Sequence, residues 1–103
     1  GLQGADLVTL FAWNEADFLR HTEGSPIRRI GHERWLRNVA VALGNAVRRE
    51  PAPALVRALQ GRADDPSALV REHVAWALGQ ASLGLPSGEV FHPSQAPPPE
   101  SAP

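Results

Sequence analysis

"NVAVALGN", Asn38 to Asn45, and "HVAWALGQ", His73 to Gln80, are nearly the same string: five of eight positions are identical at an offset of 35 residues. Each sits in a segment whose apolar residues recur at helical spacing. Both are rich in alanine and carry one glycine, the composition needed where two helices cross closely. A shorter helical segment and a connection precede each copy. The repeating unit is therefore helix, connection, longer helix, which is the logic of an α-solenoid. About three units are usually needed to bury a continuous core, so two units call for irregular caps or for support from another domain.

Around the first copy, a helix is expected from about His32 or Glu33 to about Val47. Trp35, Val39, Leu43 and Ala46 form its core-facing stripe. Arg34, Arg37, Asn38, Val41, Asn45 and Arg48 fall on a second stripe that is polar and basic apart from Val41. Around the second copy, a helix is expected from about Ser67 to Ala81, with Leu69, Val70, Val74, Ala77, Leu78 and Ala81 apolar. Between them, "PAPALVRALQG" (Pro51 to Gly61) opens on prolines and closes on glycine, the asymmetry of a helix. Upstream, Asp6 is expected to cap a short helix containing Leu7, Leu10 and Phe11. Asn14 is expected to cap a second one, with Glu15 and Asp17 in its first turn and Phe18 and Leu19 pointing inward. "EGSP" (Glu23 to Pro26) is a turn signal. The fold class is thus all-α, a solenoid of about four to five helices over residues 1–81. Residues 82–103 hold six prolines in 22 positions. They read as a proline-rich tail, disordered from about residue 93, with Val90 and Phe91 as candidates to dock back on the helices.

At 103 residues the chain is one small domain at most. It has no cysteine, which excludes disulfides, thiolate chemistry and iron–sulfur ligation by this chain. No apolar run reaches the roughly 20 residues of a membrane span, and the N-terminus has no basic region or apolar signal core. Methionine is absent altogether, so the chain is read as processed or excised from something longer. His21, His32, His73 and His92 lack metal-ligand spacing. No phosphate-binding glycine loop or nucleophile–base pair appears, so this chain is expected not to be catalytic by itself.

Net charge is only −1, yet residues 27–49 carry six arginines (28, 29, 34, 37, 48 and 49) against Glu33 alone. All ten cations are arginine. Arginine forks onto phosphate and stacks on flat groups in ways lysine cannot, although a GC-rich coding sequence also removes lysine. Arg28 and Arg29 lie in a turn just before a helix, where free N–H groups and the helix dipole favour an anion; an ordinary solvated loop is the rival reading. Arg34, Arg37, Asn38, Asn45 and Arg48 face an anionic partner, a neighbouring domain or simply solvent, and Asn38 and Asn45 have the backbone of the adjacent repeat as a rival partner. Arg71 has Asp64 or Asp65 as rival partners. Trp35 and Trp76 could stack on bases but share the register of the core.

"DDPSALVREHVAWALGQ" resembles the HEAT family of helical repeats, in Asp65–Pro66 before the helix, Val70–Arg71 in its first turns and the closing Ala77–Leu78–Gly79. Joined to "EADFLRHTEGSPIRRIGHERWLRNVAVALGN", it resembles the C-terminal region of the epoxyqueuosine reductases over about Ala5 to Ala81. That resemblance implies a cytoplasmic oxidoreductase that reduces epoxyqueuosine to queuosine at the wobble position of tRNA. It implies cobalamin and two [4Fe–4S] clusters, held in domains upstream of anything present here. It further implies that tRNA and those upstream domains are the partners of this segment, with no membrane involved. Carried over by position, the tRNA-facing residues would be Arg28, Arg29, Arg34, Arg37, Asn38, Asn45, Arg71 and His73. The alternative is a HEAT-like protein–protein or interdomain scaffold that touches no nucleic acid.

Overall fold

A computed structural model describes residues 4–83 and 97–99. The described residues are helical, with helices α1 (Gly4–Phe11), α2 (Glu15–His21), α3 (Gly31–Arg49), α4 (Pro53–Gln60) and α5 (Ala68–Leu83), and a 3₁₀ segment, Pro26–Ile30, between α2 and α3. The expected docking of Val90 and Phe91, and nearly all of the proline-rich tail, lie outside the described residues.

The local signals set most of the boundaries. Asn14 caps α2 through a reciprocal box: its Oδ1 accepts from the Asp17 N–H at 2.8 Å, and Asp17 Oδ2 accepts from the Asn14 N–H at 3.2 Å. Arg20 donates to the other Asp17 oxygen at 2.8 Å. The Arg20 hydrogen bond, aided by the Asn14 N–H, holds the Asp17 carboxyl below its usual value. A lowered folded-state value stabilises above the unfolded Asp pKa of about 3.9 and is lost as pH falls through the folded value. Asn14→Ala should therefore cost about 1 kcal/mol near neutral pH. Asp17 accepts from the Asn14 backbone N–H, which alanine keeps, so that part of the box fades in parent and variant alike as pH falls through the lowered Asp17 value, and the penalty itself should persist in acid. Thermal melts of parent and variant at pH 7 and pH 3 read both effects.

Asp6, by contrast, does not cap α1. The helix starts two residues earlier, so Asp6 sits inside its first turn. Pro53 occupies the first turn of α4, where its missing N–H costs nothing. Ser67 precedes α5 and accepts from the Val70 N–H at 3.2 Å, the bond of an N-cap.

The core is assembled around α3. Leu36, Val39, Ala40, Leu43, Gly44, Ala46 and Val47 are buried along it. Phe11 from α1, Leu55 and Leu59 from α4, and Val70, Val74 and Ala77 from α5 close over them. The most extensive helix pair is α3 with α5. They lie parallel: Ser67 at the start of α5 donates its hydroxyl to the Glu33 carboxylate at the start of α3, and further along Gly44 meets Ala77. Leu19 departs from expectation. It is 38% exposed while its neighbour Phe18 is fully buried, because a seven-residue helix against one partner has a narrow inner face.

Candidate nucleic-acid interface

Arg28 and Arg29 lie in the 3₁₀ segment, which Ser25 opens by accepting from the Ile27 N–H at 3.2 Å. Gly31 then joins this segment to α3 with φ +84°, a left-handed value that side chains other than glycine rarely adopt. Both arginines are exposed. On α3, Arg34, Asn38, Asn45 and Arg48 are exposed and Arg37 is half-buried. Fourteen residues at 1.5 Å each make this basic edge about 21 Å long. Among the described residues, no carboxylate lies within ion-pair distance of Arg28, Arg29, Arg34 or Arg48. The acid inside the basic window, Glu33, accepts from the Ser67 hydroxyl instead. Arg37 Nε donates to Asn38 Oδ1 at 2.7 Å, which aligns two side chains of this edge.

The structure therefore brings Arg28, Arg29, Arg34, Arg37, Asn38 and Asn45 onto one turn and the helix it feeds. Arg71 is separate and partly committed. It is exposed at the start of α5, but its Nη1 donates to the backbone carbonyls of Asp65 at 2.6 Å and Pro66 at 3.0 Å. Neither Asp64 nor the Asp65 carboxylate is its partner, because Asp65 Oδ2 is taken by Arg62 at 3.0 Å. His73 does not belong to the surface at all. It is fully buried, with Nδ1 against the Leu69 carbonyl at 2.8 Å and Nε2 without a partner. It is removed from the set of RNA-facing residues, because a side chain with no accessible area cannot touch RNA.

Two features escaped the sequence reading. Trp13 stacks between His21 (centroids 4.3 Å apart) and Trp35 (5.5 Å), with 13° between planes in each case. Phe18 tilts against both Trp35 and His32. Trp35 thus belongs to an aromatic ladder joining α2 and α3, and its indole Nε1 is buried without a partner. Secondly, Arg62 fastens the α1–α2 connection. Its Nε donates to the Phe11 carbonyl at 2.6 Å and its Nη2 to the Trp13 carbonyl at 3.0 Å. An arginine directly after a helix-ending glycine, with an aspartate three residues on, was the available signal. Beside Arg62, between α2, α3 and the α4–α5 loop, lies a groove of about 420 Å³. Glu15, Glu33 and Asp65 line it, so it repels the anion that the arginine edge attracts. Among the described residues no group of three His, Asp or Glu could hold a metal ion, and no helix is long and apolar enough to cross a membrane.

Comparison with known proteins gives one consistent result. The chain is 69% identical over 83 residues to the epoxyqueuosine reductase of Alicycliphilus denitrificans, covering 77% of the chain and 23% of that protein. It is 65% identical over 82 residues to that of Xanthomonas campestris, covering 80% and 22%. Against the Escherichia coli enzyme of the same name, identity is 53% over 79 residues, covering 77% and 20%. The chain spans about a fifth of the length of these curated relatives. No family model and no solved structure matches it.

Proposed function

From the premise that the chain belongs to the epoxyqueuosine reductase family, we propose that it is the C-terminal tRNA-holding domain of such an enzyme. The observation that carries this reading is the set of exposed arginines without carboxylate partners among the described residues, Arg28 and Arg29 on the 3₁₀ segment and Arg34 and Arg48 on α3. Such a row offers charge-assisted contacts to phosphates and fixes register without reading sequence. The parallel pairing of α3 with α5 supports the HEAT-like description, since the second helices of stacked units run side by side. The reaction itself, reduction of epoxyqueuosine to queuosine in tRNA in the cytoplasm, belongs to the rest of the protein in this reading. So do its cobalamin and iron–sulfur clusters. The residues of this chain do not fit a cluster, having no thiolate to offer.

Titrating this chain with tRNA across a salt series tests the reading. With about three to five phosphate contacts, log K should fall against log salt with a slope of a few units. Replacing Arg28, Arg29, Arg34 and Arg37 with Gln should weaken binding at least about tenfold at low salt and flatten the slope by about 3, with the melting temperature preserved. Absence of tRNA binding by the parent at low salt would sink the proposal. A variant that melts early would make these arginines structural.

A second reading has its own support. Ile27 is 45% exposed and Ile30 38%, beside Arg28 and Arg29. In a 3₁₀ helix residues three apart are eclipsed, so these two isoleucines share a face. That face suits contact with a neighbouring domain of the longer protein. Retention of a separately expressed upstream portion, with no RNA bound, would favour the scaffold role.

A further inference from the structure

We propose that the outer face of His21 is a seat on which an unpaired nucleobase stacks. The inference rests on the RNA-binding reading and adds a second kind of contact to it. Three rings, Trp35, Trp13 and His21, are stacked with near-parallel planes. Trp35 and Trp13 are half-buried, while His21 is exposed. Trp13 covers one imidazole face of His21, and the residue as a whole stays exposed. The ring is also held in place: Nδ1 bonds the Asp17 carbonyl at 2.8 Å. A carbonyl can only accept, so Nδ1 carries the proton and Nε2 the lone pair of the neutral ring.

An exposed ring that is already stacked and hydrogen-bonded loses little freedom when a ligand arrives. Base–aromatic stacking tolerates any base and is the usual means of holding splayed-out nucleotides. The location fits the charge. Two hydrogen-bonded turns, Ser25 N–H to Thr22 carbonyl at 2.9 Å and Arg28 N–H to Ser25 carbonyl at 3.1 Å, connect His21 to the arginines. These turns fold the chain back, so the seven steps from His21 to Arg28 cover less than the roughly 24 Å of an extended strand, within reach of neighbouring nucleotides. Base-paired RNA keeps its bases inside the helix, so the seat serves loops and single strands.

The test uses this chain with two probes: an unmodified tRNA transcript, and a blunt RNA duplex of matched length. His21→Ala should weaken tRNA binding about fivefold to tenfold, in keeping with one stacked base, and leave duplex binding unchanged. His21→Phe, which keeps a ring on Trp13, should restore tRNA binding. The four-arginine variant should weaken both probes. Unchanged tRNA binding by His21→Ala overturns the stacking seat and leaves the electrostatic reading standing. Equal loss on both probes with a lowered melting temperature makes His21 structural and overturns it too. If the parent binds neither probe, RNA recognition as a whole falls.

Discussion

Arg62→Ala should unfold this domain more readily than any other surface-reaching arginine replacement. The guanidinium is only half-buried, yet it donates to the carbonyls of Phe11 and Trp13 and to the carboxylate of Asp65, and lies 5.4 Å from the centre of the Phe11 ring. Phe11 ends α1, where the last carbonyls have no partner within the helix. Hydrogen bonds from a charged donor contribute roughly 1.5–3 kcal/mol each; removing the donor strands the Phe11 carbonyl, while that of Trp13 keeps His32 Nε2 at 2.8 Å. These contacts act as a unit, so the net loss is about 3 kcal/mol rather than the sum. At roughly 4–8 °C per kcal/mol for a domain this size, the melting temperature should drop by about 15 °C. Lysine cannot reproduce the fork and should recover little. Arg57→Ala, an exposed position on α4, should stay within about 0.5 kcal/mol. If Arg62→Ala melted with Arg57→Ala, the tie between α1 and the α4–α5 loop would be of no consequence for stability.

Gly44→Leu should be at least as damaging, by the opposite means. A Cβ at Gly44 would stand 2.5 Å from Trp76 Cζ3 and 3.0 Å from the Cα and Cβ of Ala77. The indole can swing aside, but the Ala77 backbone belongs to α5 and cannot yield without moving the helix. Alanine at 44 gains about 1 kcal/mol of helix propensity, against an overpacking cost of about 1–3 kcal/mol. Its net effect should be a loss near 1 kcal/mol. Leucine drives three more carbons into the same gap and should cost about 3 kcal/mol or more. Denaturant midpoints of the two variants measure the gradient; a leucine variant as stable as the parent would mean that α3 and α5 can separate freely.

The helices were legible because each carries its own signals: the prolines of α4, the cap of α2, the apolar periodicity of α3. The exposed arginines were legible for the same reason, since a charge on the outer stripe of a strongly two-faced helix has only water to face. What failed was the transfer of roles across the repeat. The strings at 38–45 and 73–80 match letter for letter at most positions, yet α5 is rolled by about one residue relative to α3. On α3 the inner face includes Val39, Ala40, Leu43 and Gly44; on α5 it includes His73, Val74, Ala77 and Gln80. Asn38 and Asn45 therefore stay outside while their counterparts His73 and Gln80 go in. One residue is about 100° of helix rotation, and an eight-letter match does not encode that angle; the residues facing it across the interface do. The aromatic ladder was hidden for a related reason. Trp13, His21 and Trp35 come from three elements, and only their packing makes them parallel.

The dominance of the α3–α5 pair also bears on how this chain is made. Its contacts join residues about 34 positions apart, Glu33 with Ser67 and Gly44 with Ala77, and α5 is translated after the other four described helices. Until Leu83 has left the ribosome, the apolar side of α3 has only α1, α2 and α4 to cover it. Synthesis therefore passes through an interval in which the longest helix waits, uncovered along one flank, for a partner still inside the exit tunnel.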